Sequence, residues 1–162
     1  MLATSTTDIH RLLQPETVRV GLPGRTKQEV LDATIDLLHG HPAVRDPEAL
    51  REAVWARERV MSTGVGKGLA LPHAKTPAVT QTIAALAITA EPVDFGAIDD
   101  LPVRILFLLV GTEEAKTQHI KVLSRISRLM NRAALREALL AAHDPDEVLR
   151  LIEEAEAALM EG

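Results

Sequence analysis

Apolar positions recur along the chain with two different periods. Residues 16–22 (ETVRVGL) alternate, Val18 and Val20 lying between polar neighbours, which predicts a short strand broken by Pro23 and Gly24. Thr26-Lys-Gln-Glu29 has the spacing of a capping box and opens a helix. Val30, Ala33, Ile35, Leu37 and Leu38 lie on or near one face of that helix, which ends at Gly40. Asp46-Pro47-Glu48 starts a second helix, with Leu50, Val54 and Trp55 facing inward, running to about Val60. Three apolar runs predict strands: Leu69 to Leu71, stopped by Pro72; Thr82 to Thr89; and Val103 to Val110, apolar enough to be central and covered on both faces. Glu113 to Met130 returns to the helical period through Ile120, Leu123, Ile126, Leu129 and Met130. Helices over Ala134–Ala142 and from Pro145 to about Met160, the latter capped by Asp144, complete the pattern.

Strands interleaved with helices predict an α/β fold: a single domain, with a mixed β-sheet flanked by helices on both faces. The connection between the strands at 82–89 and 103–110 is short and holds turn residues, so antiparallel pairing is expected there. Residues 1–14 read as a loose N-terminal arm with one helical turn near Ile9 to Leu13, and residues 15–160 as the domain. No internal repeat or low-complexity linker interrupts it.

Composition narrows the function. A chain of 162 residues with 46% hydrophobic residues can bury a real core. Aromatics make up only 2%, which argues against base-stacking surfaces for single-stranded nucleic acid. A net charge of −5 disfavours broad electrostatic binding to nucleic acid or anionic membranes. There is no cysteine, and so no disulfide, thiol nucleophile or thiolate metal site. No apolar stretch reaches a membrane span, and Met1 to His10 does not resemble a secretory signal, so a cytoplasmic location is expected.

Six histidines remain as candidate chemistry. His39 and His41 flank a helix-ending glycine, where histidine interacts well with the helix dipole, and His143 reads the same way. His10 lies in the arm and carries no signal. His73 follows an apolar strand and a proline, just after Ser62-Thr-Gly-Val-Gly-Lys-Gly68, with Lys67 and Lys75 nearby. Glycines let backbone N–H groups approach an anion. A neutral imidazole offers one lone pair for attack while its other nitrogen is held by a hydrogen bond. His73 therefore suits a phosphoryl acceptor. His119, near the start of the long helix, is either a partly buried polar residue or a second imidazole in the same site; the pattern leaves both open.

Other glycine-loop chemistries fail. A nucleotide P-loop needs a hydroxyl residue after its lysine and a following helix; here Gly68 follows Lys67 and a strand comes next. A dinucleotide fingerprint fails for the same reason. No H-E-x-x-H motif or close histidine pair on a helix face is present, so neither a metal nor another cofactor is expected.

Arg57-Glu58, then Ser62 to Lys75 through Pro72-His73, then Pro92-Val-Asp-Phe-Gly96, Val103 to Val110 and His119 to Leu129 resemble, in that order, the EIIA domains of the fructose/mannitol/nitrogen-regulatory class of the sugar phosphotransferase system (PTS EIIA type-2). The resemblance covers roughly residues 15–155. It implies a mixed sheet flanked by helices. It also implies a phosphotransferase component that accepts a phosphoryl group from the carrier HPr on His73 and passes it to a cysteine of an EIIB. The family's second histidine falls on His119 and its active-site arginine on Arg57. Thr63, Gly64, Gly66, Lys67 and Gly68 fall on the loop that would support the phosphate. Where the family usually has Asn, this chain has Lys67. Lacking cysteine, the chain holds no EIIB acceptor of its own. Fructose-type sugar uptake is the preferred reading. The alternative is a nitrogen-regulatory EIIA whose phosphorylation switches contacts with regulatory target proteins. A third reading, an α/β domain that no longer transfers phosphate, sits poorly with Arg57, His73 and His119 occurring together.

Overall fold

The computed structural model describes residues 8–161. Its centre is a six-stranded mixed sheet in the order β1 (Val18–Leu22), β5 (Ile83–Val93), β6 (Val103–Gly111), β3 (Leu69–Ala70) and β2 (Gly64–Gly66), with β4 (His73–Lys75) also paired to β6. β5 and β6 run antiparallel, as the short connection predicts, while β1 is parallel to β5 and β3 and β4 are parallel to β6.

Alternation along the two central strands makes two cores. Ala85 and Ala87 of β5, with Leu106, Leu108 and Val110 of β6, face α2 (Lys27–Asp36) and α3 (Pro47–Val60). Leu86, Ile88, Ile105, Phe107 and Leu109 face the other way, under α1 (Ile9–Leu12), α4 (Lys116–Met130), α5 (Ala133–Leu140) and α6 (Pro145–Glu161). Both faces of the sheet are covered, which is why these strands read as nearly continuous apolar runs.

The capping box forms as expected: the Glu29 backbone N–H donates to Thr26 Oγ1 at 3.1 Å and the Thr26 N–H to Glu29 Oε1 at 3.2 Å. Asp46 likewise caps α3 through the Ala49 N–H at 3.1 Å.

Two expectations are corrected. Residues 8–14, read as part of a loose arm, are packed: Ile9, Leu12 and Leu13 are buried in the second core, and the Ile9 and His10 N–H groups donate to Glu156 of α6 at 2.6 and 3.0 Å. The helical turn there is real, but its apolar face is anchored by a residue far away in sequence, which local patterning does not reveal. Residues 1–7 of that arm lie outside the described residues. The glycine segment at 64–68 is no open loop either. It is a β2–β3 hairpin whose turn residues, Lys67 and Gly68, have φ of 61° and 78°.

Candidate active site

β3 and β4 keep a single register along β6, Leu69 lying opposite Ile105 and His73 opposite Leu109. They form one strand interrupted at Leu71–Pro72. Proline lacks an N–H, but its carbonyl still accepts from the Leu109 N–H at 3.0 Å. His73 opens the second half of this strand and is half-buried. Its Nδ1 lies 2.9 Å from the Leu71 carbonyl oxygen. A carbonyl can only accept, so Nδ1 carries the proton and Nε2 keeps the lone pair. Burial pushes the His73 pKa below its ordinary value; Arg57 and Lys75 push the same way, while the Leu71 carbonyl and Glu58 oppose them. The ring is therefore neutral near pH 7.

His119, in the first turns of α4, is 4% exposed and stacks obliquely on His73, ring centroids 5.9 Å apart. Neither of its ring nitrogens has a hydrogen-bond partner among the described residues. Burial, then the neighbouring His73 and Lys75, lowers its pKa to about 4. An unpaired buried imidazole costs about 1–3 kcal/mol, and a ligand that accepts its hydrogen bond recovers that. Gly111, the last residue of β6, makes room for this ring: a Cβ there would lie 2.9 Å from His119 Nδ1.

His73 lines a cleft of about 600 Å³ together with Arg57, Met61, Thr63, Ile98, Leu123 and others. Arg57 comes from the last turn of α3, where its Nη1 donates to the Met61 carbonyl at 2.9 Å. It has no carboxylate partner among the described residues, so its remaining donors are free. The structure thus brings Arg57 and His73 to one cleft and His119 against His73.

The glycine segment plays a different part from the one expected. The Thr63, Gly64 and Lys67 N–H groups donate to Glu58 Oε2, Ser62 Oγ and Asp99 Oδ2 at 2.9, 3.1 and 2.9 Å. The Thr63 hydroxyl donates to Glu58 Oε1 at 2.6 Å. These donors are committed within the protein. Gly64 is needed because a Cβ there would meet Ala97 at 2.8 Å, where the 94–102 loop crosses β2. Gly68 is the second positive-φ residue of the turn. Lys67 projects away from the turn and donates through Nζ to Asn131 Oδ1 at the end of α4, 2.6 Å away.

Sequence patterning missed the Leu71 carbonyl, Gly111 and Glu58. The carbonyl has no sequence signal, and Gly111 after an apolar strand reads simply as a turn. Glu58 did carry one: a carboxylate in the last turn of a helix is on the wrong end of the dipole and needs a partner elsewhere. Among the described residues, no group of three or more His, Asp or Glu could hold a metal ion, and no helix is long and apolar enough to cross a membrane.

Residues 11–155 match the family model described as phosphoenolpyruvate-dependent sugar phosphotransferase system, EIIA 2. The PTS system fructose-specific EIIA component of Haloferax volcanii is 34% identical over 91% of this chain and 96% of its own length. The fructose-specific EIIABC component of Bacillus subtilis is 33% identical over 89% of this chain, which spans only 23% of that longer protein. The crystal structure of the nitrogen regulatory protein IIA-Ntr from Neisseria meningitidis superposes with a TM-score of 0.83 at 29% identity, covering 89% of this chain and 98% of that one. The family model and the superposition agree, and the chain belongs to the EIIA 2 family of the phosphoenolpyruvate-dependent sugar phosphotransferase system.

Proposed function

We propose that the chain is a phosphocarrier in which Nε2 of His73 accepts a phosphoryl group from phospho-HPr and passes it to a cysteine of a separate EIIB, in fructose-type sugar uptake. The observation that carries this reading is the Nδ1–H to Leu71 carbonyl hydrogen bond at 2.9 Å, which leaves Nε2 as the nucleophile of a neutral ring. In the transfer, the Nε2 lone pair forms a new P–N bond as the P–N bond of the donor phosphohistidine breaks. The His73 ring gains positive charge and the donor ring is released neutral. The Leu71 carbonyl stabilises that developing charge through Nδ1–H. Handing the group on reverses this: a thiolate forms an S–P bond, the His73 N–P bond breaks, and the ring is neutral again.

Phosphoryl transfer asks mainly for positioning and charge stabilisation. Arg57 supplies a fork of donors for the phosphoryl oxygens. His119, neutral and without a hydrogen-bond partner, supplies an N–H to the same group. The Thr63–Gly68 segment supports the cleft as a rigid wall. Exposed apolar side chains at the rim, Met61, Val65 and Ile98, suit carriers that dock briefly and leave.

Incubation with phosphoenolpyruvate, Enzyme I and HPr tests the reading. One phosphoryl group should appear on the wild type and none on His73→Ala; label at that site in His73→Ala sinks it. The likeness to IIA-Ntr supports a second reading, in which phospho-His73 switches contacts with regulatory targets. Rapid discharge by a fructose-specific EIIB favours uptake. A phosphorylated form that EIIB leaves intact favours regulation.

A further inference from the structure

Lys27 occupies the first position of α2, where the helix dipole disfavours a cation. Glu58 occupies the last turn of α3, where the dipole disfavours an anion. Each is misplaced on its own helix, and the two meet: Lys27 Nζ lies 2.8 Å from Glu58 Oε2. The Glu58 side chain is only 1% exposed, that of Lys27 28%. The Lys27 ammonium also sits 4.7 Å from the centroid of the Phe95 ring, which fixes it from a second side. The other contacts of Glu58 are the Thr63 N–H and hydroxyl, both in the wall of the cleft. Its sequence neighbour Arg57 has no carboxylate partner among the described residues.

We propose that Lys27 is a positioning residue for phosphoryl transfer at His73: by neutralising buried Glu58 it leaves the Arg57 guanidinium uncompensated toward the phosphoryl group and holds the Thr63 wall in place. This rests on the phosphocarrier reading. Without Lys27, a buried carboxylate would act unopposed close to the site where a phosphoryl dianion must form. It would repel that group and draw on Arg57. The charged and titratable groups acting on His73 are Arg57 and Glu58 from α3, Lys75 from its own strand and His119 from α4. Of these, Glu58 is the one whose effect Lys27 controls directly.

The experiment uses Lys27→Met, Lys27→Arg and the double variant Lys27→Met/Glu58→Gln, with Lys27→Gln in parallel as a milder change. The first readout is the His73 titration followed by NMR. The second is phosphoryl transfer from phosphoramidate, a small donor whose P–N bond breaks with loss of ammonia and which needs no docking partner. Lys27→Met and Lys27→Gln should raise the His73 midpoint, because an unopposed Glu58 favours the imidazolium. They should also slow transfer about tenfold through kcat, with KM little changed. Lys27→Arg should keep wild-type values. The double variant should restore the rate to within about threefold and bring the midpoint back down. An unchanged His73 midpoint in Lys27→Met and Lys27→Gln overturns the proposal, as does a double variant no faster than Lys27→Met. A wild type that accepts nothing from phospho-HPr overturns the carrier reading instead, and the His73 titration still decides the role of Lys27.

Discussion

Two buried carboxylates at opposite parts of the molecule have nearly the same surroundings and different consequences. Glu58, 4% exposed, accepts the Thr63 N–H and hydroxyl and pairs with Lys27. Glu156, 3% exposed, accepts the Ile9 and His10 N–H groups, bonds the His10 ring at 2.7 Å and meets Arg125 at 3.4 Å. Each uses a side chain to satisfy backbone donors that no helix or strand satisfies. Glu58 does so within electrostatic reach of His73, the proposed phosphoryl acceptor. Glu156 does so where the start of the domain meets its last helix, and nothing reactive lies among its partners. One arrangement therefore acts on chemistry and the other on stability. The positive-φ non-glycine residues among those described are Lys67, in the β2–β3 turn, and Asp100, in the 94–102 loop, which the Lys67 N–H meets through Asp99.

The harshest test of this contrast is Glu156→Ala. It removes one of the anions that Arg125 meets, the other being Asp8, and leaves two N–H groups without acceptors, and should cost about 3 kcal/mol. For a chain of this size that is a fall in Tm of roughly 6–12 °C. Phosphoryl acceptance by the folded fraction should be unchanged. A loss of transfer in Glu156→Ala well below its melting range would mean that the clasp and the cleft are coupled, and the division drawn above would fail.

Acid separates the two regions more gently. The folded state holds His119 neutral down to about pH 4, while the unfolded chain protonates it near its ordinary value of 6.5. Between those values the unfolded state binds the extra proton, so stability contributed at the cleft falls as pH drops from about 6.5 to about 4. Glu156 behaves as a depressed carboxylate. Burial raises its pKa, but the Ile9 N–H, the His10 ring and the His10 N–H together outweigh that and bring it below the ordinary 4.5. Its contribution is complete above 4.5 and is lost as pH falls through its lower folded value. Urea unfolding from about pH 7.5 down to about 3.5 should show a first decline that His119→Asn reduces without removing, because burial lowers the pKa of His73 and His41 as well, then a second that survives it. A decline above pH 5 of equal size in both proteins would remove His119 as its source.

How much of this could be read from the chain depends on how local each feature is. The capping box at Thr26, the cap at Asp46 and the apolar runs of β5 and β6 are set by neighbours within a few residues, and all formed as the pattern implied. His73 stood out because proline and a glycine run flank it, although those glycines serve a hairpin and a close loop crossing. The packing of Ile9 to Leu13 and the Lys27–Glu58 pair join residues more than 30 apart, and the Gly111–His119 fit turns on a missing Cβ. Periodicity carries none of that. A charge at the wrong end of a helix was the one trace left in the sequence by the Glu58 region, and the Glu156 region left none, because a carboxylate in the body of α6 is unremarkable there.

The smallest expected effect concerns the strain in the β2–β3 turn. Lys67 and Gly68 form a two-residue hairpin turn with both φ positive, the geometry of a type I′ turn, in which Asn-Gly is strongly preferred. Asparagine tolerates the left-handed region because its short side chain bonds locally; lysine has no such compensation. The resemblance to a family that usually has Asn at this position thus gains a physical account: the turn calls for it. Lys67→Asn should stabilise the chain by about 0.5–1 kcal/mol, or roughly 1–3 °C in Tm, after allowing for the exposed contact to Asn131, which is worth little. The same variant also shows what the lysine does. If its charge helps seat an acidic partner, phosphoryl exchange with HPr or EIIB should slow through KM and lose part of its salt dependence, while exchange with phosphoramidate stays the same. If all three rates are unchanged and Tm rises, Lys67 is only a strained turn residue, and the strain in that turn has no part in partner choice. A fall in Tm would contradict the turn assignment itself and leave the Asn131 contact as the reason for a lysine.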